Sequence, residues 1–127
     1  MAPVWIPRGM VLAMHLRQLA EHGGGEGIRD EGLLDSALQR AENKLAYGNP
    51  DIVDMAAAYA FGIARNHPFI DGNKRTALVA SFTFLHVNGW TMTSSQDENV
   101  RIFLDLASGH LTEDELAAWF RAFAKPI

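Results

Sequence analysis

The stretch His67-Pro-Phe-Ile-Asp71-Gly-Asn73-Lys74-Arg75-Thr76 lies near the middle of the chain, between two apolar segments. It brings together an imidazole, a carboxylate, a glycine, a carboxamide and two cations. Pro68 disfavours helical geometry at His67, so a preceding helix should end at that residue or just before it. A further helix is predicted to begin at Asn73 or Lys74. The stretch is therefore expected to form a loop between two helices.

Both flanking segments have the periodicity of buried helices. The upstream segment, Asp51 to about Asn66, is apolar nearly all round, and its small residues permit close approach of neighbours. Such a helix belongs in the centre of a bundle. The downstream segment ends at Asn88-Gly89. Its inner stripe consists of Leu78, Val79, Phe82 and Leu85.

Two more helices are predicted upstream of the central pair. The first runs from about Arg8 to His22 and ends at Gly23-Gly24-Gly25. The second is capped by Asp30, with Arg29 as a surface neighbour of the cap, and stops near Leu45.

Two helices are also predicted downstream. Asp97 is expected to cap a helix that ends at Ser108-Gly109. Thr112 and Glu115 have the spacing of a capping box for a last helix through about Ala124. Residues 90–93 are at most briefly extended, and no convincing sheet is expected. The predicted fold is an all-α compact single-domain bundle of about six helices, spanning residues 1–127.

Composition restricts the classes of function. With 127 residues, 48% of them hydrophobic, the chain can form one domain with its own core. A net charge of −4 argues against broad nucleic-acid binding. The absence of cysteine excludes disulfides and cysteine chemistry. The N-terminus lacks the features of a signal peptide and no apolar run is long enough for a bilayer, so a cytoplasmic protein without membrane contact is expected.

The central loop has the composition of a phosphate site. Unpaired amides and a partial positive charge at the start of the following helix favour an anion. Gly72 lets the backbone turn closely around an oxyanion. Lys74 and Arg75 fall in the first helical turn, where cations are unfavourable unless an anion is present.

Two residues of the loop have candidate catalytic roles. Asp71 is suited to hold Mg²⁺, which takes one or two protein carboxylates and completes its shell with phosphate and water. His67 is suited to act as general base. Taken singly, these residues also fit a plain turn with surface charges, and Phe69 fits a core anchor. Their combination at one loop favours a functional site.

The segment His67-x-Phe69-x-Asp71-Gly72-Asn73-Lys74-Arg75-Thr76-Ala77 resembles the signature of the Doc (death-on-curing) toxins, a branch of the Fic superfamily. Residues 27–38, which begin Gly-Ile-Arg-Asp, and Asn88-Gly89 resemble that family as well. The resemblance implies an all-α Fic fold and an Mg-ATP-dependent activity. It also implies a kinase that phosphorylates a threonine of elongation factor Tu, and a small antitoxin whose amphipathic segment folds onto the toxin.

The resemblance assigns a role to each residue of the motif. It implies that His67 deprotonates the acceptor hydroxyl and that Asp71 coordinates the metal. The backbone at Gly72 and the side chain of Asn73 would bind phosphate. The two cations that follow, Lys74 and Arg75, would neutralise phosphate charge.

Two departures from the wider superfamily bear on the reaction. Fic adenylyltransferases have Gly in place of Lys74 and a second Arg in place of Leu78, so transfer of the γ-phosphoryl group is favoured over transfer of AMP. AMP transfer remains the alternative, together with a non-catalytic helical module that binds an anion or a partner. Ser94-x-x-x-Glu98-Asn99 resembles a self-inhibitory motif of some Fic proteins, but an external antitoxin is the favoured control.

Overall fold

Six α-helices and two three-residue strands follow one another in the computed structural model, which describes residues 2–127. The prediction of an all-α bundle of about six helices is confirmed. In chain order the elements are α1 (Arg8–His22), α2 (Glu31–Ala46), α3 (Ile52–Asn66), α4 (Asn73–Val87), β1 (Trp90–Met92), α5 (Gln96–Ala107), α6 (Glu113–Phe123) and β2 (Ala124–Pro126).

Helix α3 lies at the centre of the bundle, as its sequence predicts. It packs against α2, α4, α5 and α6, and most of its side chains are fully buried. A Cβ atom added at Gly62 would lie 3.0 Å from both Cα and the carbonyl oxygen of Ala37 in α2. The small residues therefore allow α2 and α3 to approach closely, which fixes the position of the C-terminal end of α3.

A cluster of aromatic rings joins α4, α5 and α6. Phe82 of α4 packs edge-to-face on Phe103 and Phe120, with ring centroids 6.2 and 6.0 Å apart. Trp119 of α6 borders the same cluster. Burial of these large rings stabilises the side of the bundle behind α3 and α4.

Two of the three predicted helix caps are confirmed. Asp30 accepts a hydrogen bond from Leu33 N at 2.9 Å and caps α2. Thr112 and Glu115 form the predicted capping box of α6.

The prediction that Asp97 caps α5 is wrong. Ser95 is the N-cap residue and accepts a hydrogen bond from Glu98 N at 3.1 Å, while Asp97 lies in the first turn. Serine followed three residues later by glutamate has the spacing of a capping box, so the helix begins earlier in the chain than expected.

The expectation of no sheet is wrong in one detail. β1 and β2 pair antiparallel, with Trp90 opposite Pro126 and Met92 opposite Ala124. Helix α6 accordingly ends at Phe123 rather than at Ala124. Strands of three residues are too short to show a period of two, and their partners are far apart in sequence. Among residues 2–127, no helix combines the length and apolarity needed to cross a bilayer.

Candidate active site

The loop between α3 and α4 begins at a residue with unusual backbone angles. His67 has φ 48° and ψ 56°, in the left-handed region. That region costs a residue other than glycine about 1–2 kcal/mol, and the proline that follows disfavours helical angles as well. At the other end, Gly72 adopts φ 78° and α4 starts at Asn73, as predicted. The angles at His67 therefore need support from the surrounding structure.

Residues 27–30, here called the anchor segment, support the loop through the backbone. Arg29 N and Asp30 N donate to the carbonyl oxygen of Pro68, at 2.7 and 3.1 Å. Ile70 N donates to Gly27 O at 3.1 Å. These bonds fix the register of the loop against the anchor segment before any side chain is considered.

Arg29 also contacts the loop through its side chain. Its Nε donates to His67 O at 2.7 Å, and its Nη2 donates to Asn66 O at 2.9 Å. The sequence predicts an exposed neighbour of the Asp30 cap, and the residue is indeed exposed. Its contacts 37 and 38 residues away could not be found from local patterns.

His15 of α1 contacts the loop at Phe69 and Asp71. The ring is 3% exposed and stacks on Phe69, with centroids 3.8 Å apart. Its Nε2 lies 2.8 Å from the carbonyl oxygen of Asp71, and a carbonyl oxygen can only accept, so Nε2 carries the proton. Phe69 is 1% exposed, which confirms it as a core anchor.

The role of His15 was not predicted, although the sequence contains a signal for it. Val11, His15 and Leu19 are spaced four residues apart, and all three are buried. This spacing places the histidine on the inner stripe of α1. A buried histidine needs a hydrogen-bond partner, and the loop provides it.

Asn73 closes the loop on itself. Its Oδ1 accepts from Phe69 N and its Nδ2 donates to Phe69 O, both at 2.9 Å. The same Nδ2 lies 3.4 Å from Nδ1 of His67, which is at the long limit for a hydrogen bond. The side chain is thus occupied in holding the loop. A phosphate contact by this carboxamide stays a prediction.

Asp71 projects from the loop and is exposed. One of its oxygens, Oδ2, accepts a hydrogen bond from Gly25 N at 3.2 Å. A Cβ atom at Gly24, whose φ is 125°, would lie 3.2 Å from the same oxygen, so glycine is required for this close approach. The glycines after α1 therefore orient the carboxylate, which was predicted as a metal ligand.

The donor set at Asp71 fits Mg²⁺. Within residues 2–127, no group of three or more His, Cys, Asp or Glu side chains is arranged to hold a metal ion. A cation at Asp71 would therefore take most of its ligands from phosphate oxygens and water. Mg²⁺ in nucleotide sites is bound in this way, through one or two carboxylates.

The N-terminus of α4 faces the loop with unpaired amides. The first backbone hydrogen bond of the helix runs from Thr76 N to Gly72 O at 3.0 Å, so the amides of residues 73–75 precede the helical ladder. Lys74 is half-buried and Arg75 is exposed. The ion pairs found in the described part of the chain use other basic residues: Arg8, Arg17, His22, Arg40, Lys44 and Arg121. Two cations in this first turn favour an anion as their partner.

The remaining features that the sequence singled out lie outside the loop. Leu78 packs against the core. Glu98 helps to cap α5 and lines a cleft of about 430 Å³ together with Trp119 and Phe123 of α6. This cleft shares no lining residue with the loop. Residues 94–99 resemble a self-inhibitory motif, but Glu98 in this segment takes part in the cap of α5 and lies outside the loop.

An imidazole and a carboxylate thus lie in a loop held by α1, the anchor segment and Asn73, and two cations follow in the first turn of α4. This is the class of site that binds a phosphate-bearing ligand beside a proton acceptor.

Comparison with known proteins agrees with this class. A model of the Fic/DOC family matches residues 5–85. The chain is 39% identical to "Toxin Doc" of Mycolicibacterium smegmatis over 107 residues, which cover 80% of this chain and 82% of that protein. It is 30% identical to "Protein kinase doc" of Escherichia phage P1 over 112 residues, covering 87% and 88% of the two chains. The chain belongs to the Fic/Doc family, in its Doc branch.

Proposed function

We propose that this protein is the toxin of a toxin-antitoxin module and acts as an Mg-ATP-dependent protein kinase. The observation that carries the proposal is the rigidly held loop from His67 to Arg75. It combines an exposed imidazole with an anion-binding helix start. The names of the two relatives, a Doc toxin and a Doc protein kinase, support the same activity.

His67 is the general base of the proposed reaction. Its ring is exposed, and a neutral imidazole has one ring nitrogen that can accept a proton. The acceptor hydroxyl gives its proton to this nitrogen while its oxygen forms a bond to the γ-phosphorus of ATP. The bond between that phosphorus and the β–γ bridging oxygen breaks, and ADP leaves. Positioned bases of this kind contribute about 10²- to 10⁴-fold.

The start of α4 binds the phosphates in this proposal. The free amides at residues 73–75 and the backbone at Gly72 donate hydrogen bonds to phosphate oxygens. Lys74 and Arg75 neutralise their charge. Asp71 would hold Mg²⁺, which would supply positive charge beside the transferring phosphate.

The proposed acceptor is a threonine of elongation factor Tu, so that phosphorylation inhibits translation in the cytoplasm. The proposed control is a small antitoxin that folds an amphipathic segment onto an apolar groove of the toxin. The resemblance to the Doc toxins supports both proposals, and the name of the relative "Toxin Doc" supports the antitoxin. Neither involves direct contact with nucleic acid or membrane.

Transfer of AMP is the second candidate, because other Fic proteins carry it out with a similar loop. Lys74 favours the kinase. Its half-buried side chain stands in the first turn of α4, where glycine would leave room beside the backbone for the inner phosphates. At position 78, where Fic adenylyltransferases have a second arginine, this chain has a leucine that packs against the core.

One substitution distinguishes the proposed enzyme from a non-catalytic module that only binds an anion or a partner. We expect His67→Ala to abolish growth arrest when the protein is expressed without antitoxin, because the base is lost while the exposed ring contributes little to the fold. Circular dichroism should show unchanged helix content. His110→Ala, which removes another exposed imidazole, is the matched control and should keep toxicity. Full toxicity of His67→Ala would show that catalysis is not needed.

A further inference from the structure

Among residues 2–127, Arg29 is the only residue whose side chain donates hydrogen bonds to both peptide groups flanking His67. The carbonyl of Asn66 belongs to the peptide before the Cα atom of His67, and the carbonyl of His67 belongs to the peptide after it. Arg29 donates to the first at 2.9 Å and to the second at 2.7 Å. One planar guanidinium therefore connects two peptide planes that are joined at a single Cα atom.

The relative orientation of these two planes is what φ and ψ of His67 describe. Fixing both planes fixes both angles, and with them the direction of the Cα–Cβ bond. The angles concerned, φ 48° and ψ 56°, are rarely adopted by a residue other than glycine. Without a restraint, His67 would relax toward the extended region that a residue before proline prefers.

We propose that Arg29 is a positioning residue: by holding the peptides on both sides of His67, its guanidinium fork directs the imidazole at the acceptor hydroxyl. The inference rests on the proposed function for its kinetic consequence only. The conformational consequence holds whether or not the protein transfers phosphate.

The local geometry indicates that the two donors of the Arg29 guanidinium matter in addition to its positive charge. Any cation near the C-terminus of α3 would satisfy its carbonyls and complement the helix dipole. Only arginine presents two donors in a rigid plane, so lysine keeps the charge and loses the fork. Arg29→Lys therefore separates the two roles, and Arg29→Ala removes both.

The first readout is the backbone of His67 in solution. The nuclear Overhauser effect between its amide and Hα protons is strong only at positive φ. We expect it to be strong in the wild type and in Arg8→Ala, a matched control whose guanidinium pairs with Asp35 at 3.2 Å away from the loop. It should weaken in Arg29→Lys and Arg29→Ala. A strong effect in both Arg29 variants would overturn the proposal.

The second readout is steady-state γ-phosphoryl transfer. Misdirection of the base should lower kcat of Arg29→Lys by about 10- to 100-fold, with KM for ATP nearly unchanged. In a His67→Ala background the same substitution should cause no further loss, because Arg29 acts through His67. An equal loss in both backgrounds would show a different role. If the wild type transfers no phosphate, the proposed function fails while the backbone readout still decides the role of Arg29.

Discussion

His67 combines a reactive side chain with backbone angles that have to be imposed from outside. Neighbouring residues supply these restraints: the guanidinium of Arg29 directly, and the carboxamide of Asn73 and the ring of His15 through Phe69. Each comes from a different part of the chain. If His67 is the base of the proposed reaction, these restraints pre-organise it, and less of the reaction barrier is spent on orientation.

His15 gives a prediction about the support of the loop. His15→Ala removes a buried ring that stacks on Phe69 and a hydrogen bond to Asp71 O, so we expect a loss of about 2–4 kcal/mol in the free energy of unfolding. His15→Phe keeps the stacked ring and should lose about 1 kcal/mol. Urea denaturation measures both. Equal losses in the two variants would contradict the stacking contribution.

The residues of the site differ in how far the sequence could predict them. His67, Asp71, Lys74 and Arg75 fall within ten positions of one another, so a local pattern could find them. Their support could not be found in this way, because Arg29 and His15 reach the loop across 38 and 56 residues. Folding alone brings these side chains together.

At the scale of whole elements, helix α3 determines where the loop begins. Its close packing on α2 requires glycine at position 62, which has no Cβ atom. A Cβ atom at Gly62 would lie 3.0 Å from backbone atoms of Ala37, whereas Gly9 in α1 has nothing within 4 Å of such an atom. The same substitution should therefore have opposite effects in the two helices.

We expect Gly62→Ala to lower the free energy of unfolding by about 1–2 kcal/mol, because overpacking against α2 outweighs the gain in helix propensity. Gly9→Ala should raise it by about 0.5 kcal/mol. Thermal and urea unfolding measure both variants. A stabilising Gly62→Ala would show that α2 and α3 are less tightly packed than the structure describes.

A second contact between elements joins α2 to the start of α6. Glu113 accepts a hydrogen bond from Arg40 Nε at 2.6 Å and is also paired with Lys44. Burial raises the pKa of the Glu113 carboxyl, but the hydrogen bonds and charges of Lys44 and Arg40 outweigh it and hold the pKa below its ordinary value of 4.5. The ion pair therefore stabilises the fold above that value.

The pH dependence follows from the lowered pKa of Glu113. Its contribution to stability is fully present above pH 4.5 and is lost as pH falls through the lower pKa of the folded state. Glu113→Gln should be less stable than the wild type at pH 7, and this difference should shrink as the wild-type carboxyl becomes protonated. Urea denaturation at a series of pH values measures this. Glu26→Gln, in an exposed loop, is the control. A difference that is independent of pH would contradict the pairing.

The helices and the short sheet differ in how well sequence patterns predict them. Long amphipathic and apolar periods placed all six helices, and Asp30 and Thr112 marked two of their starts. The pairing of β1 with β2 escaped prediction because Trp90 and Pro126 interact through their backbones over a long separation. Patterns of side chains carry little information about such a contact.

Over the whole molecule, one reactive loop is placed between the two most central helices and is supported by segments that precede them. The geometry of the site therefore depends on the packing of α1, α2, α3 and α4. The site faces solvent at His67, Asp71 and Arg75, which suits a large acceptor such as a folded protein. This exposure agrees with a kinase whose substrate is another protein.

The most direct test uses ATP labelled separately at the α and γ positions, incubated with Mg²⁺, a bacterial extract and either wild-type protein or His67→Ala. We predict that a protein of the extract acquires label from the γ position only, that His67→Ala lowers the rate of labelling by about 10²- to 10⁴-fold, and that the labelled protein is elongation factor Tu. Label acquired from the α position would contradict phosphoryl transfer and indicate transfer of AMP. Undiminished γ-label with His67→Ala would contradict the assignment of His67 as the base.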